Sequence, residues 1–335
     1  MGSGQSGERR RIGSLGLGFR RTRAKEPTRR NGHERGIAMK AVGIVGIGAM
    51  GRPLAANWVA AGFRVVGFDI RSERMAHLRD LGGEATGSPA DVVRAADQVI
   101  LSLPSAAALD EVVHGEHGLV AGARPGVICI ETSTLPLAVK EAARESLATA
   151  GMAMLDCPIS GTGAQARLRD IVFYASGPED LIERCRPALE AVSRAAPRVG
   201  DFGAGIKMKL VSNLLVSVHT LAAAEAMTLA ARVGLEPAAT YDLLCAGAGT
   251  SRMLEVRGPM MVAGEYSGET ATIDTIGKDV ELIMDLAARH HCPVPLLAVA
   301  STFYLAAMAQ DLGSDDPAVL AEVLRRLAGL QEPSD

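Results

Sequence analysis

The sequence predicts an α/β fold: a doubly wound parallel-sheet domain followed by an all-α region, the two joined by one long helix. Three observations carry this. Short apolar runs alternate with helical periods from Lys40 to about Arg198. Those runs are continuously apolar, as in strands buried on both faces, rather than alternating apolar and polar. After Gly203 the strand pattern stops, and the chain to about Leu330 reads as helix.

Ala41–Gly46 is a short apolar run ending in glycine, and Ala49–Ala61 has helical period. Arg64–Asp69 is a second strand, and Ser72–Leu81 reads as helix. Ser88 followed by Pro89 is an N-cap signal for a helix over Ala90–Ala96. The serine hydroxyl accepts from a first-turn amide, and proline needs no donor there. Gln98–Leu103, Gly126–Ile130, Met152–Leu155 and Ile171–Ala175 read as strands, Pro136–Ala150 and Pro178–Val192 as helices. Ile206–Val233 forms one helix of about 42 Å, at about 1.5 Å rise per residue. It carries Lys209, Asn213, His219 and Glu225, which argues for a buried joining helix and against a membrane span. Gly234-Leu235-Glu236-Pro237 ends it and starts another helix.

Composition narrows the partners. The chain has 335 residues, enough for two domains, and a net charge of -3. With a pI of about 6.2, nothing asks for nucleic acid or an anionic membrane. Aromatic residues are only 3% of the chain, so the core is aliphatic. Cys129, Cys157, Cys185, Cys245 and Cys292 are odd in number, scattered and without a CxxC pair. They read as reduced thiols in a cytoplasmic compartment. Residues 1–38 carry nine arginines and show no helical or strand period. They read as a disordered or mis-assigned N-terminal extension, with an arginine-rich targeting or twin-arginine signal as the alternative. Ile12–Phe19 is too short and too glycine-interrupted for a secretory signal.

Gly46-Ile47-Gly48-Ala49-Met50-Gly51 is a G-x-G-x-x-G that follows a strand and opens a helix. In that context it is a dinucleotide-binding fingerprint, and the sheet domain is of Rossmann type. Gly46 permits the tight turn, Gly48 lets a pyrophosphate approach the backbone, and Gly51 lets helix and sheet pack closely. The helix N-terminus then holds the anion. Asp69 ends the second strand, where a carboxylate accepts from the adenosine ribose and repels a 2′-phosphate, favouring NAD over NADP. Arg71 offers the opposite possibility, a clasp for that phosphate. Leu103 and Pro104, at the end of the strand Gln98–Leu103, are assigned to the cofactor as well.

Lys209 and Asn213 are four residues apart, on one face at the start of the longest apolar stretch. An ammonium and an amide there suggest a proton donor beside a redox cofactor. Glu131-Thr132-Ser133-Thr134-Leu135-Pro136 offers hydroxyls and amides at the carboxyl edge of the sheet. Asp156-Cys157-Pro158-Ile159-Ser160-Gly161-Thr162-Gly163-Ala164 offers a Ser-Gly-rich loop whose amides suit a carboxylate. Lys278-Asp279 is expected to begin an amphipathic helix. Singly, each has an ordinary reading: Ser133 as an N-cap, the 160–163 loop as a turn, Lys278 as surface charge.

In this order the motifs resemble the β-hydroxyacid dehydrogenase family, the 3-hydroxyisobutyrate dehydrogenase-like enzymes, from Met39 to about Leu330. The resemblance rests on Gly46–Gly51 with Met50 in place, Ser133-Thr134 before Pro136, and Asp156–Thr162. It continues with Gly205, Lys209 and Asn213, then Lys278-Asp279-Val280. It implies that residues 39–203 bind NAD or NADP and that 204–332 form an all-helical substrate and dimerisation domain. It implies Lys209 as general acid/base and Asn213 as the residue orienting substrate. Ser133 and the backbone of Ser160, Gly161 and Thr162 would hold the carboxylate of a small anionic substrate. Lys278 would sit near the nicotinamide and close the site. Burial, with Lys207 and Lys278 nearby, is expected to lower the Lys209 pKa.

The substrate candidates are 3-hydroxyisobutyrate, tartronate semialdehyde, succinic semialdehyde, glyoxylate and sugar acids. Thr162 departs from the family pattern, which has a second glycine there, so glycine-only backbone angles are lost and bulk is added. Arg167 and Arg252 are candidates for a second anionic group on the substrate, against an ordinary reading as surface charges. Imine reduction on a similar fold is the alternative activity, and a non-catalytic dinucleotide-binding protein the alternative class. Lys209 argues against the first, since imine reductases usually replace that lysine, and retention of both Lys209 and Asn213 argues against the second. His114-Gly115-Glu116-His117 lacks a third ligand, so no metal is assigned. His219 reads as a core histidine, and His290-His291 as partners of a helix end. A homodimer or homotetramer is expected, because the all-helical second domain is too short and too apolar to stand alone and its long helix is expected to pack against a partner subunit.

Overall fold

The computed structural model describes residues 41–267 and 271–330. The expectations for residues 1–38, and the last residues of 204–332, lie outside them.

The sheet begins as the fingerprint requires. β1 (Ala41–Val45) leads through the glycine turn into α1 (Gly51–Ala60). β2 (Arg64–Phe68), α2 (Ser72–Asp80), the two-residue β3 (Glu84–Ala85) and α3 (Pro89–Ala95) follow. Ser88 caps α3 by accepting from the Asp91 amide at 3.2 Å, as its sequence signal predicts. β4 (Gln98–Leu101) leads to α4 (Ala106–His114), a helix the apolar pattern did not announce, capped by Ser105. β5 (Ile128–Glu131), α5 (Leu137–Thr149) and β6 (Ala153–Asp156) complete the second half. Pairing runs β3-β2-β1-β4-β5-β6, with parallel register throughout this segment. That order reverses direction between β1 and β4, where open α/β sheets hold their ligands at the carboxyl ends of the strands.

Beyond β6 the chain departs from a single further parallel strand. The predicted strand Ile171–Ala175 divides. Its first part, β8 (Val172–Phe173), pairs antiparallel with β7 (Ile159–Ser160) in a separate ribbon. Between these two lies α6 (Gly163–Arg167). β9 (Ala175–Ser176) joins the main sheet antiparallel to β6, and after α7 (Glu179–Ala191) β10 (Arg198–Gly200) extends it in parallel. Tyr174 marks the division: its amide donates to the Pro158 carbonyl at 2.9 Å, outside both ladders. The sheet is thus parallel in the main, with one antiparallel pairing at its extension.

Aliphatic side chains cover both faces. One cluster gathers Ile44, Leu54, Leu78, Ile100, Ile130, Leu155 and Leu189 around Trp58. Trp58 has no exposed surface, and its indole nitrogen donates to the Ala188 carbonyl at 2.7 Å. The other face packs Val92, Val99, Leu101, Leu109, Val113 and Leu147.

From Gly203 onward the described elements are helical. α8 (Ala204–Arg232) runs for 29 residues. α9 (Pro237–Ala246), α10 (Arg252–Ala263), α11 (Ile273–Arg289), α12 (Pro295–Met308) and α13 (Leu320–Leu327) follow, with a short 3-10 turn before the last. α8 shares a core with the others through Leu210, Leu221, Ala224, Met227, Leu254, Ile276, Val280 and Tyr304. By length and composition alone α8 could cross a membrane, but its apolar window is 44% buried within the protein. Polar groups pin this core: Arg257 pairs with Asp316 at 2.8 Å, and the Tyr304 hydroxyl donates to the Ser217 carbonyl at 3.3 Å.

Candidate active site

The cofactor half sits at the switch point. Gly46 adopts φ 92, a left-handed angle, and a Cβ there would collide with the Ser102 carbonyl oxygen. Its amide donates to the Phe68 carbonyl at 2.9 Å, tying the turn to β2. No side chain caps α1, so its first-turn amides face the place where an anion would lie. A Cβ on Gly48 would meet only the Arg74 guanidinium, at 3.6 Å, which leaves room above this turn. Asp69 is buried and accepts from the Ile47 amide at 2.7 Å and the Arg71 amide at 2.9 Å. These features fit a dinucleotide: an uncapped helix start, open space at Gly48, and a carboxylate at the end of β2. Ala49 and Met50 lie within the same turn. Leu103 and Pro104 follow β4 on the opposite lip, with Pro104 exposed.

One neighbour was not foreseen. Arg74 Nη1 lies 3.1 Å from Asp69 Oδ2, so the carboxylate at the end of β2 carries a guanidinium beside it. Arg71 is exposed.

The catalytic half is built where α8 and α11 meet the loop after β5. Lys209 and Asn213 lie one turn apart on α8; Asn213 is buried and Lys209 half-buried. Asn213 Nδ2 donates to Asp279 Oδ2 at 2.6 Å. Lys278 and Asp279 sit in the second turn of α11, whose start at Ile273 is five residues earlier than the sequence suggested. Thr272 caps that start by accepting from the Thr275 amide at 3.2 Å. Lys278 Nζ donates to the Thr134 carbonyl at 3.0 Å and lies 3.6 Å from Asp279 Oδ1.

Burial lowers the Lys209 ammonium below its ordinary pKa; Asp279 pulls the other way, and Lys278 pushes it further down. Lys207, expected to help, is exposed instead. Burial also raises the Asp279 carboxyl, against the nearby Lys278 and Lys209. The result is an amine whose proton is less firmly held than that of a surface lysine.

The proposed carboxylate site has a defined local structure. Ser133 is buried; its Oγ accepts from the Leu103 amide at 2.9 Å, and its own amide donates to Glu131 Oε1 at 2.8 Å. It is not an N-cap, and it links the loop after β5 to the loop after β4. Ser160 ends β7, and Gly161 takes φ 132 with its Cβ position only 2.7 Å from Ile171 Cγ2. Thr162 has an extended backbone, φ -107, so no glycine-only angle is lost there. Instead it caps α6: its Oγ1 accepts from the Gln165 amide at 3.3 Å, while its amide donates to Gln165 Oε1 at 3.0 Å. The threonine thus has a structural task, and its amide is already engaged.

Arg167 is exposed. Arg252 pairs with Glu255 at 3.0 Å and lies 3.5 Å from Asp170, which also binds Arg194. A cavity of about 390 Å³ opens between α8, α9 and α10, lined by His219, Ala222, Leu244, Thr250, Ser251 and Arg252. It contains neither Lys209 nor Asn213. His114 Nδ1 lies 2.9 Å from Asp110, and no cluster of three metal-ligating side chains occurs among the described residues.

Residues 41–205 match a sequence family described as the NAD binding domain of 6-phosphogluconate dehydrogenase. Residues 203–324 match one described as NAD-binding of NADP-dependent 3-hydroxyisobutyrate dehydrogenase. An L-threonate dehydrogenase of Cupriavidus necator is 36% identical over 281 residues, 83% of this chain and 94% of that protein. A 3-sulfolactaldehyde reductase of Escherichia coli is 27% identical, over 87% of this chain and 98% of that protein. A crystal structure described as 3-hydroxyisobutyrate dehydrogenase from Salmonella typhimurium superposes with a TM-score of 0.78 at 31% identity. It covers 85% of this chain and 99% of that one. A Streptomyces aurantiacus imine reductase, covering 85% of this chain and 99% of that one, reaches a TM-score of 0.56 at 20% identity, a likeness of fold alone.

Proposed function

This chain belongs to the β-hydroxyacid dehydrogenase family, and we propose that it is an NAD(P)-dependent dehydrogenase of small hydroxyacids with Lys209 as general acid/base. The observation that carries the residue assignment is the meeting of α8, α11 and the Ser133 loop. There a lysine with a lowered pKa stands one turn from Asn213 and beside Lys278 and Asp279.

When bound, the nicotinamide supplies the hydride acceptor or donor. Gly46, Ile47, Gly48, Ala49, Met50, Gly51, Asp69, Leu103, Pro104 and Lys278 would hold it. In oxidation, neutral Lys209 takes the substrate hydroxyl proton as hydride leaves the same carbon. In reduction, its ammonium returns a proton to the carbonyl oxygen. Asn213 has one amide hydrogen bonded to Asp279, which fixes its plane and leaves its carbonyl oxygen for substrate. Ser133, Ser160, Gly161 and Thr162 would frame the carboxylate. We infer a sugar-acid substrate of the L-threonate kind, from the names of the relatives at 32–36% identity, and NAD before NADP, from Asp69.

The assembly we infer is a homodimer or homotetramer. α8 exposes Val211, Leu215 and Leu229, and α9 buries none of its residues, so apolar surface remains to be covered. Light scattering at micromolar concentration should give at least a dimer mass; a monomer refutes this. Free Cys129, Cys157, Cys185, Cys245 and Cys292 support a reducing, cytoplasmic compartment.

The deciding assay measures cofactor turnover with L-threonate, 3-hydroxyisobutyrate, glyoxylate, succinic semialdehyde and a cyclic imine, for wild type and Lys209→Ala. Wild type is expected to turn over at least one acid or semialdehyde, and Lys209→Ala to lose about 10²–10⁴-fold. Equal turnover by the two refutes the role of Lys209. Turnover of the imine alone favours the reductase reading.

A further inference from the structure

Lys140 is a lysine with no exposed surface, on the same face of α5 as Ala143 and Leu147. Its ammonium lies 2.6 Å from Glu131 Oε2 and 2.7 Å from Asp156 Oδ1, and both carboxylates are fully buried too. Each carboxylate spends its second oxygen on backbone that leads into the site. Glu131 Oε1 accepts from the Ser133 amide at 2.8 Å. Asp156 Oδ2 accepts from the Ile206 amide at 2.8 Å and from the Ser176 hydroxyl at 3.1 Å.

The Ile206 bond matters most. α8 follows Gly203 with no side-chain cap of its own, so a carboxylate fifty residues upstream of Ile206 does that work. Gly205 lets the helix come this close: a Cβ there would stand 2.6 Å from the carbonyl oxygens of Asp156 and Tyr174. Lys209 lies three residues beyond Ile206, about 4.5 Å along a stiff helix, so displacement of the first turn carries through to its ammonium. Buried ions are poor sources of stability, since apolar residues of similar volume often do as well or better. What a buried triad provides instead is fixed geometry.

We propose that the Glu131–Lys140–Asp156 triad is the positioning device of this active site, with Lys140 setting the spacing between the Ser133 loop and the first turn of α8. Lys140 touches neither substrate nor cofactor; it acts through Ser133 on one side and Lys209 on the other. Burial opposes its charge, but Glu131 and Asp156 outweigh burial and hold the ammonium above its ordinary pKa, so it stays charged at neutral pH. The proposal rests on the assignment of Lys209 as acid/base.

The test replaces the triad by neutral groups of similar size, Glu131→Gln with Lys140→Met and Asp156→Asn, in the full chain. The assay uses the acid of highest kcat/KM from the panel. A second variant, Lys140→Arg, keeps the charge but forces the carboxylates apart, and serves if the first does not fold. Expected for a variant with a cooperative thermal transition is a cofactor Kd within about threefold of wild type. Its kcat should fall about 10–100-fold, as misplacement by about 1 Å implies. The primary isotope effect, with substrate deuterated at the transferred position, should increase, because the chemical step becomes slower. Loss of folded protein alone would lower apparent kcat and leave the isotope effect unchanged. A folded variant with kcat within tenfold of wild type, or with an unchanged isotope effect, overturns the proposal. Residual full activity in Lys209→Ala would instead refute the acid/base assignment, which separates the two failures.

Discussion

Lys278 Nζ donates to the main-chain oxygen of Thr134 at 3.0 Å, spanning 144 positions of sequence. This contact fastens the second turn of α11 to the loop beside Ser133. It also holds a positive charge near Lys209, where it helps to lower that amine.

Opposite neighbours should therefore move the pH profile in opposite directions. Lys278 lowers the Lys209 pKa and Asp279 raises it. With Lys209 as the general base proposed above, oxidation requires it neutral, and the rate rises with pH through that pKa. Lys278→Met should shift the rising limb of the kcat–pH curve to higher pH, and Asp279→Asn to lower pH. Shifts of the same sign in both variants would contradict this arrangement.

Removing the amine should stabilise the fold while abolishing turnover. The pKa of Lys209 is lowered in the folded chain, so the unfolded chain binds that proton more tightly. The cost to stability is fully present below the folded-state pKa and is relieved as pH rises from there to the ordinary lysine value. Lys209→Met should raise the unfolding free energy at pH 7, read as a higher urea midpoint. The gain should shrink as pH rises towards the ordinary lysine value of 10.5 and be gone above it.

Cofactor choice should respond to Arg74. Its guanidinium sits 3.1 Å from Asp69 Oδ2, where it offsets the charge that repels a 2′-phosphate. Arg74→Ala should raise the ratio of kcat/KM for NAD to that for NADP severalfold. A ratio that falls would mean that Arg74 chiefly fixes Asp69 in place.

Gly205→Ala should be costly for a residue in a helix. The added methyl meets two carbonyl oxygens at 2.6 Å, and both belong to backbone. Overpacking of this kind costs about 1–3 kcal/mol, read as a lower denaturant midpoint. Because the strain falls on the first turn of α8, kcat should fall further than cofactor affinity.

The sheet and the long helix were legible because buried parallel strands and a 29-residue apolar helix leave long, regular patterns. β3, β7 and β8 have two residues each, too short for any period, and tertiary contacts alone decide where they pair. Placements within one motif were legible too: the glycine turn from Gly46 to Gly51 before α1, and Lys209 one turn from Asn213 on α8. The partnership of Glu131, Lys140 and Asp156 was not, since no local spacing joins two strand ends and a helix face. One sign was present. Lys140 shares a helical face with Ala143 and Leu147, where a solvated lysine has no place. Thr162, expected to add bulk to the pocket, also caps α6.

Trp58 is the chain's single tryptophan, sealed against Ala188 beneath the first half of the sheet. Its emission therefore reports on one half of the molecule and is blind to α9 through α13. Far-ultraviolet ellipticity is dominated by those helices and by α8. Melting the protein while recording both signals would show whether light and ellipticity fade together, as for one cooperative body, or the ellipticity first, with the helices letting go of an intact sheet.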